Sequence, residues 1–368
     1  AGIQGSRGNA ALALARLQDG VADGEAARAQ LEGGMIPEMV ALLSAGSPNS
    51  RTNAAKALSR LTHHLGAAAC RAVIRAGALP PLLELLGEGT PAGRGDAALA
   101  VSRLVGAEPE TANDCAGHGT LTSLVALITD ATPNARANGA KALASIVAEV
   151  PDAADTAVAL GCVAPLLSLL ATGGSGARAS VANSLARLLE SAAAGTARAA
   201  LATALLPGVR QLTMDVESGS ASGRANAALA LARMAEAQTA AADAAVSCGA
   251  VAALFALVRE PPSAARTACV GNAALAISAL LDAGGATAAA AVSTAGDDNI
   301  LLRALSARGG AGVTAQRAFA ACALSHTSSP DVAREAVAAG AVAALVALID
   351  DDVEPRGQRR PTCADALA

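Results

Sequence analysis

Arginines recur through this chain at one position of a repeated segment, and guanidinium groups at regular intervals suit recognition of carboxylates along an extended ligand. Five stand in register: Arg16, Arg60, Arg103, Arg187 and Arg233. Where another would fall, Ser145 replaces it, with Lys141 one helical turn earlier. A second polar row, Asn9, Asn53, Asn138 and Asn226, lies seven residues before that register and shares its helix face. These ten side chains make up the candidate partner-binding groove. An alternative stands beside it. Asp19, Glu190 and Glu236 follow Arg16, Arg187 and Arg233 by three residues, so those arginines can equally form surface ion pairs within one helix.

Other chemistry is thin. His63-His64 is the one His pair, at a helix end, where adjacent residues point apart and no Cys or carboxylate spacing completes a metal site. Cys248 and Cys269 have no His near in sequence to act as a base. Gly173, Gly174 and Gly176 lack the Lys-Ser/Thr that grips phosphate, and Asp350-Asp351-Asp352 suits a helix end. No catalytic residue, metal, cofactor or small-molecule substrate is expected, and the chain is read as non-catalytic.

The elements that must carry the two rows come from periodicity. RTNAAKALSRL from Arg51 returns from Arg7, Arg94, Arg136, Arg178, Arg224, Val270 and Arg317, with a cut-off copy from Arg360; the starts are 42 to 47 residues apart. Such a period marks a solenoid whose units stack on their neighbours. With the first residue of each copy as offset zero, Leu14, Leu58, Val101, Leu143, Leu185, Leu231, Ile277 and Leu324 occupy offset seven and are expected in the core. The Asn row is offset two, Lys56 and Lys141 stand at offset five, and the arginines are offset nine. A second motif alternates with the first: GMIPEMVALL from Gly34, GALPPLLELL from Gly77, GCVAPLLSLL from Gly161, GAVAALFALV from Gly249 and GAVAALVALI from Gly340, with a degraded copy from Asp297. Gly followed by Pro fits a helix stop and a new helix start. Each unit is thus a short helix, a Gly turn, a second helix, a polar loop and a longer third helix. The arginines at offset zero begin the third helix, against the macrodipole preference, and the sequence offers no role for them.

Composition agrees. Apolar content is 53%, mostly small helix formers, with no Trp or Tyr, which disfavours a β fold. A net charge of −4 gives no reason to expect nucleic acid or an anionic membrane surface as partner. Seven cysteines at unrelated spacings imply buried thiols in a reducing, intracellular compartment such as cytoplasm or nucleus. The uncharged run 156–177 is broken by Gly161 and Pro165 and is not expected to span a membrane. The chain begins inside one repeat and stops inside another, so it is read as a piece of a longer protein.

This three-helix unit resembles the armadillo repeat, whose second helix has a Gly-Ala-Ile-Pro-Pro-Leu-Val pattern and whose third ends in Ala-Leu-x-Asn-Leu; residues 77–86 and 51–61 match closely except at that Asn. The resemblance covers the chain and implies an all-α, right-handed α-solenoid, one domain over residues 1–368 with seven full repeats and partial units at both ends. It implies a protein-binding scaffold whose third helices line a concave groove. Relatives similar to importin-α hold peptides with Trp at offset five and Asn at offset nine. This chain has no Trp, and Arg at most offset-nine positions. The match is thus nearer the basic grooves of β-catenin-like solenoids, with an acidic, extended segment as the expected partner. A nuclear-transport adapter or a structural subunit of a large assembly are the alternatives.

Overall fold

The computed structural model describes residues 2–20, 24–117, 119–192, 196–260 and 267–295, with Val342 and Val346. The expected copies from Asp297, Arg317 and Arg360, with Phe319, Cys322, Leu324 and His326, lie outside them, as do the acidic triplet at 350–352 and all of the Gly340 motif but those two valines. The described residues are helical, with no strand among them. Two compact units divide the chain, residues 1–192 and 193–368.

The first unit opens with the long helix α1 (Gly2–Gly20), followed by α2 (Glu25–Glu32) and α3 (Met35–Ala45). Next come α4 (Pro48–Arg75), α5 (Leu79–Glu88), α6 (Pro91–Ala107), α7 (Thr111–Gly117), α8 (Thr120–Asp130) and α9 (Pro133–Glu149). It closes with α10 (Asp152–Ala159), α11 (Val163–Thr172) and α12 (Ser175–Ser191). The α4 span is two helices joined at Gly66, whose backbone (φ 57°, ψ −141°) is non-helical; residues 67–75 are the short first helix of the next unit. The second unit holds α13 (Thr196–Leu205), a 3-10 turn (Leu206–Gly208), α14 (Val209–Ser218), α15 (Ala221–Ala237), α16 (Thr239–Ser247), α17 (Ala250–Arg259) and α18 (Thr267–Ala295).

Local chemistry sets the breaks. At Gly77 (φ 77°) the Ala78 amide donates to Val73 O and the Gly77 amide to Ile74 O, the paired bonds of a Schellman stop that needs the left-handed conformation. Long helices start on a capping hydroxyl: Ser47, Thr90 and Thr132 accept from the amides of Ser50, Gly93 and Ala135, and Pro48, Pro91 and Pro133 follow. In the first unit the long helices pack in series, α1 on α4, α4 on α6, α6 on α9 and α9 on α12; in the second, α15 packs on α18.

Leu58, Val101, Leu143, Leu185, Leu231 and Ile277 are buried as expected. Leu14 is only half-buried, a departure from the expected core row. Where α1 packs on α4, the fully buried side chains of α1 are Ala11 and Ala15. The uncharged run 156–177 bends by 83° between α10 and α11, and no single described helix is long and apolar enough to cross a membrane.

Candidate partner-binding face

Residues at offset nine cross from their own long helix to offset eight of the helix before. Arg60 Nη1 donates to Ala15 O at 2.8 Å, and Arg103 Nη1 donates to Ser59 O and, at 2.9 Å, to Ser59 Oγ. Ser145, which replaces the arginine in α9, meets Ser102 Oγ at 2.9 Å in the same register. Arg60 and Arg103 are half-buried, one arm of each guanidinium ties neighbouring helices, and burial lowers Arg103.

The Asn row makes a parallel ladder. Asn53 Nδ2 donates to Gly8 O at 2.9 Å, Asn138 Nδ2 to Gly95 O at 3.0 Å and Asn272 Nδ2 to Ala225 O at 2.8 Å. Each bond runs from offset two to the offset-one carbonyl of the preceding long helix. The approach is close enough that a Cβ on Gly95 would sit 2.8 Å from Ala135 Cβ. Asn53 and Asn138 therefore spend a donor on the stack itself. Asn9 is exposed on α1, and Asn226 is half-buried on α15.

The remaining arginines differ. Arg187 pairs with Glu190 at 2.9 Å and Arg233 with Glu236 at 2.9 Å, each three residues on in its own helix. Two of the three expected intrahelical pairs are present, and their carboxylates offset the positive charge of those arginines. Arg16 is exposed, while the Asp19 side chain lies outside the described residues.

What is left is a basic cluster on three consecutive long helices: Lys56 and Arg60 on α4, Arg103 on α6 and Lys141 on α9. Asp96 stands among them, at the offset-two position of α6. Burial pushes its carboxyl up to about 6, while Lys56, Arg60 and Arg103 pull the other way. Burial lowers Lys141, as does Arg103. His63, at the end of the same face of α4, is lowered by burial and then by Arg103, His64 and Lys141. These mutual effects place the groups within one electrostatic neighbourhood. Among the described residues Asp96 makes no hydrogen bond and no direct ion pair.

The offset-zero arginines, left without a role by sequence alone, bridge second helices. Arg94 Nε donates to Leu86 O at 3.0 Å, Arg136 Nε to Ile128 O at 2.6 Å and Arg224 Nε to Val216 O at 2.9 Å, all in the last turn of the second helix just before. The other arm reaches the next unit: Arg94 Nη2 to Ser123 O, Arg136 Nη2 to Pro165 O, Arg51 to Glu84 and Arg224 to Glu260. A cation there faces a helix C-terminus, which reconciles the row with the macrodipole.

Among the described cysteines none is in a disulfide. Cys70, Cys115, Cys162 and Cys269 are buried, and burial pushes the Cys115 and Cys162 thiols up to about 12, which keeps them unreactive. Cys248 is exposed, contrary to the expectation of buried thiols, because it caps α16 on the solvent side of the hinge before Gly249. The described residues contain no cluster of three metal-ligating side chains.

No family model matches the chain, and no curated protein does. Solved structures do. An engineered protein is similar at 23% identity and TM-score 0.56, over 94% of this chain and 91% of its own. A designed armadillo repeat protein matches at 23% identity and TM-score 0.54, over 67% of this chain and 99% of its own. Another designed armadillo repeat protein, solved in complex with the peptide (KR)4, matches at 22% and TM-score 0.52 over the same share of each chain. At these identities the likeness is one of fold. By fold, the chain is an armadillo-like repeat solenoid.

Proposed function

We propose that this chain is a non-catalytic, intracellular protein-binding scaffold that holds an acidic, extended segment of a partner on the long-helix face of α4, α6 and α9. The observation that carries the reading is the clustering of Lys56, Arg60, Arg103 and Lys141 on adjacent helices, with Asp96 set among them. In an armadillo stack this face lines the groove. An extended chain advances about 3.3 Å per residue, so helices spaced by about 10 Å match a carboxylate at every third residue. A basic peptide such as the one on the designed neighbour would meet like charge here.

The cluster is narrower than the row of five arginines in the sequence. Arg187 and Arg233 are offset by their own glutamates, and Asn53 and Asn138 serve the stack. Arg60 and Arg103 also hold main-chain carbonyls, so replacing them disturbs packing and binding together. Lys56 and Lys141 separate the two effects. The Lys56→Glu, Lys141→Glu double variant should lose binding of a fluorescein-labelled nona-aspartate peptide, followed by anisotropy at low salt, with an unchanged helical circular-dichroism signal. Equal binding by wild type and variant would overturn the reading.

A further inference from the structure

Asp96 stands at offset two, where five of the eight copies carry Asn, and its surroundings are set by the hydrogen-bonded register of three helices. Asn53 and Asn138, at the same offset in α4 and α9, each reach the carbonyl at offset one of the preceding long helix. The equivalent carbonyl for Asp96 belongs to Thr52 of α4, and Thr52 Oγ1 meets Thr90 Oγ1 at the start of α6 at 2.8 Å, fixing α4 against α6 at that level. An ionised carboxylate cannot donate to a carbonyl, so Asp96 cannot extend the ladder while charged. Its electrostatic partners are basic: Lys56 and Arg60 from α4, and Arg103 seven residues along its own helix. From α9, Lys141 acts on Arg103 and on His63.

Resting on the acidic-segment reading above, we propose that Asp96 is the specificity-determining residue of this face: from its offset-two position on α6 its carboxylate offsets the field of Lys56, Arg60 and Arg103, and an incoming acidic segment must overcome that opposing charge. The face then favours ligands dense enough in acid to outweigh the Asp96 carboxylate, and it rejects segments carrying a single acidic side chain. Because that carboxylate sits half-buried among the groups it offsets, protonating it strengthens ligand binding. That effect appears as pH falls through about 6, and His63, held below its ordinary value by burial, adds charge in the same direction as it protonates.

The test compares wild type with Asp96→Asn and Asp96→Ala in the full 368-residue chain, using the labelled nona-aspartate peptide from pH 5.5 to 8. Both variants should bind about tenfold tighter at pH 7.5, the scale of removing one opposing charge, and both should lose most of the wild-type gain on acidification. Alanine is included because it removes the charge without supplying a ladder donor. Equal affinity of wild type and both variants at pH 7.5, with binding still lost in the Lys56→Glu, Lys141→Glu chain, would overturn the role of Asp96 and leave the acidic-segment reading standing. Peptide binding that is absent from every chain, or indifferent to the lysines, would overturn both.

Discussion

Asn138 Nδ2 lies 3.0 Å from the Gly95 carbonyl oxygen, and Asp96, the next residue after that glycine, occupies the register of Asn138 one unit earlier. Asparagine and aspartate have nearly the same shape, yet only the amide donates. One interhelical bond therefore depends on a single atom.

Replacing Asp96 by Asn should stabilise the first unit by about 1 kcal/mol at pH 7.5, the net worth of one added hydrogen bond. The sign with pH follows from the raised carboxyl. Folding favours the protonated acid, so the contribution of Asp96 is full below about pH 4 and is lost as pH rises through about 6. The urea-midpoint gap between Asp96→Asn and wild type should therefore be small near pH 4.5 and largest above pH 7. A gap independent of pH would refute this placement of Asp96.

Asn138→Ala should cost about 1–3 kcal/mol, because the Gly95 carbonyl loses its side-chain donor at a contact that admits little water. Urea unfolding monitored by circular dichroism checks it. A change within 0.3 kcal/mol or so would show that the bond is replaced by solvent.

Arg136 holds Ile128 O through Nε and Pro165 O through Nη2. Arg136→Ala should lower stability by about 1–2 kcal/mol, and Arg136→Lys should recover less than half of that, since an ammonium cannot fork to two carbonyls on different helices. Full rescue by lysine in a thermal melt would reduce the residue's role to its charge.

Leu58 and Leu231 are 0% and 1% exposed, so Leu58→Ala and Leu231→Ala should each cost about 2–5 kcal/mol. Half-buried Leu14 should cost clearly less on the same substitution. Denaturation of the three variants side by side gives the ranking, and an equal loss at Leu14 would place that side chain in the core after all.

The fold was legible in the sequence because its signals are local. Gly77 followed by Pro80 and Pro81, or Thr90 followed by Pro91, announces a stop or start within a few residues. The pairs Arg187–Glu190 and Arg233–Glu236 were visible for the same reason, three residues apart on one helix. The roles of Asn53, Arg60, Arg94 and Arg103 were not. Their partners Gly8, Ala15, Ser123 and Ser59 are near in space but 29 to 45 residues away in sequence, and helical periodicity fixes a face without saying which backbone lies across it. An alternation of small residues at offset one with Asn at offset two was the available hint. It marks an amide reaching a close neighbouring carbonyl.

The ladder also has a direction. Asn53, Asn138 and Asn272 all point backward, each taking a carbonyl from the long helix before its own. Removing units from the carboxyl end leaves carbonyls that water can satisfy, whereas removing them from the amino end strands amide donors beside newly bare helix faces. Units of this kind can be reordered like tiles with a tongue and a groove, provided each keeps a small residue at offset one and an Asn at offset two. At the α4–α6 junction the tongue has been changed to a charge, Asp96, and at the α9–α12 junction to a hydroxyl, Ser180.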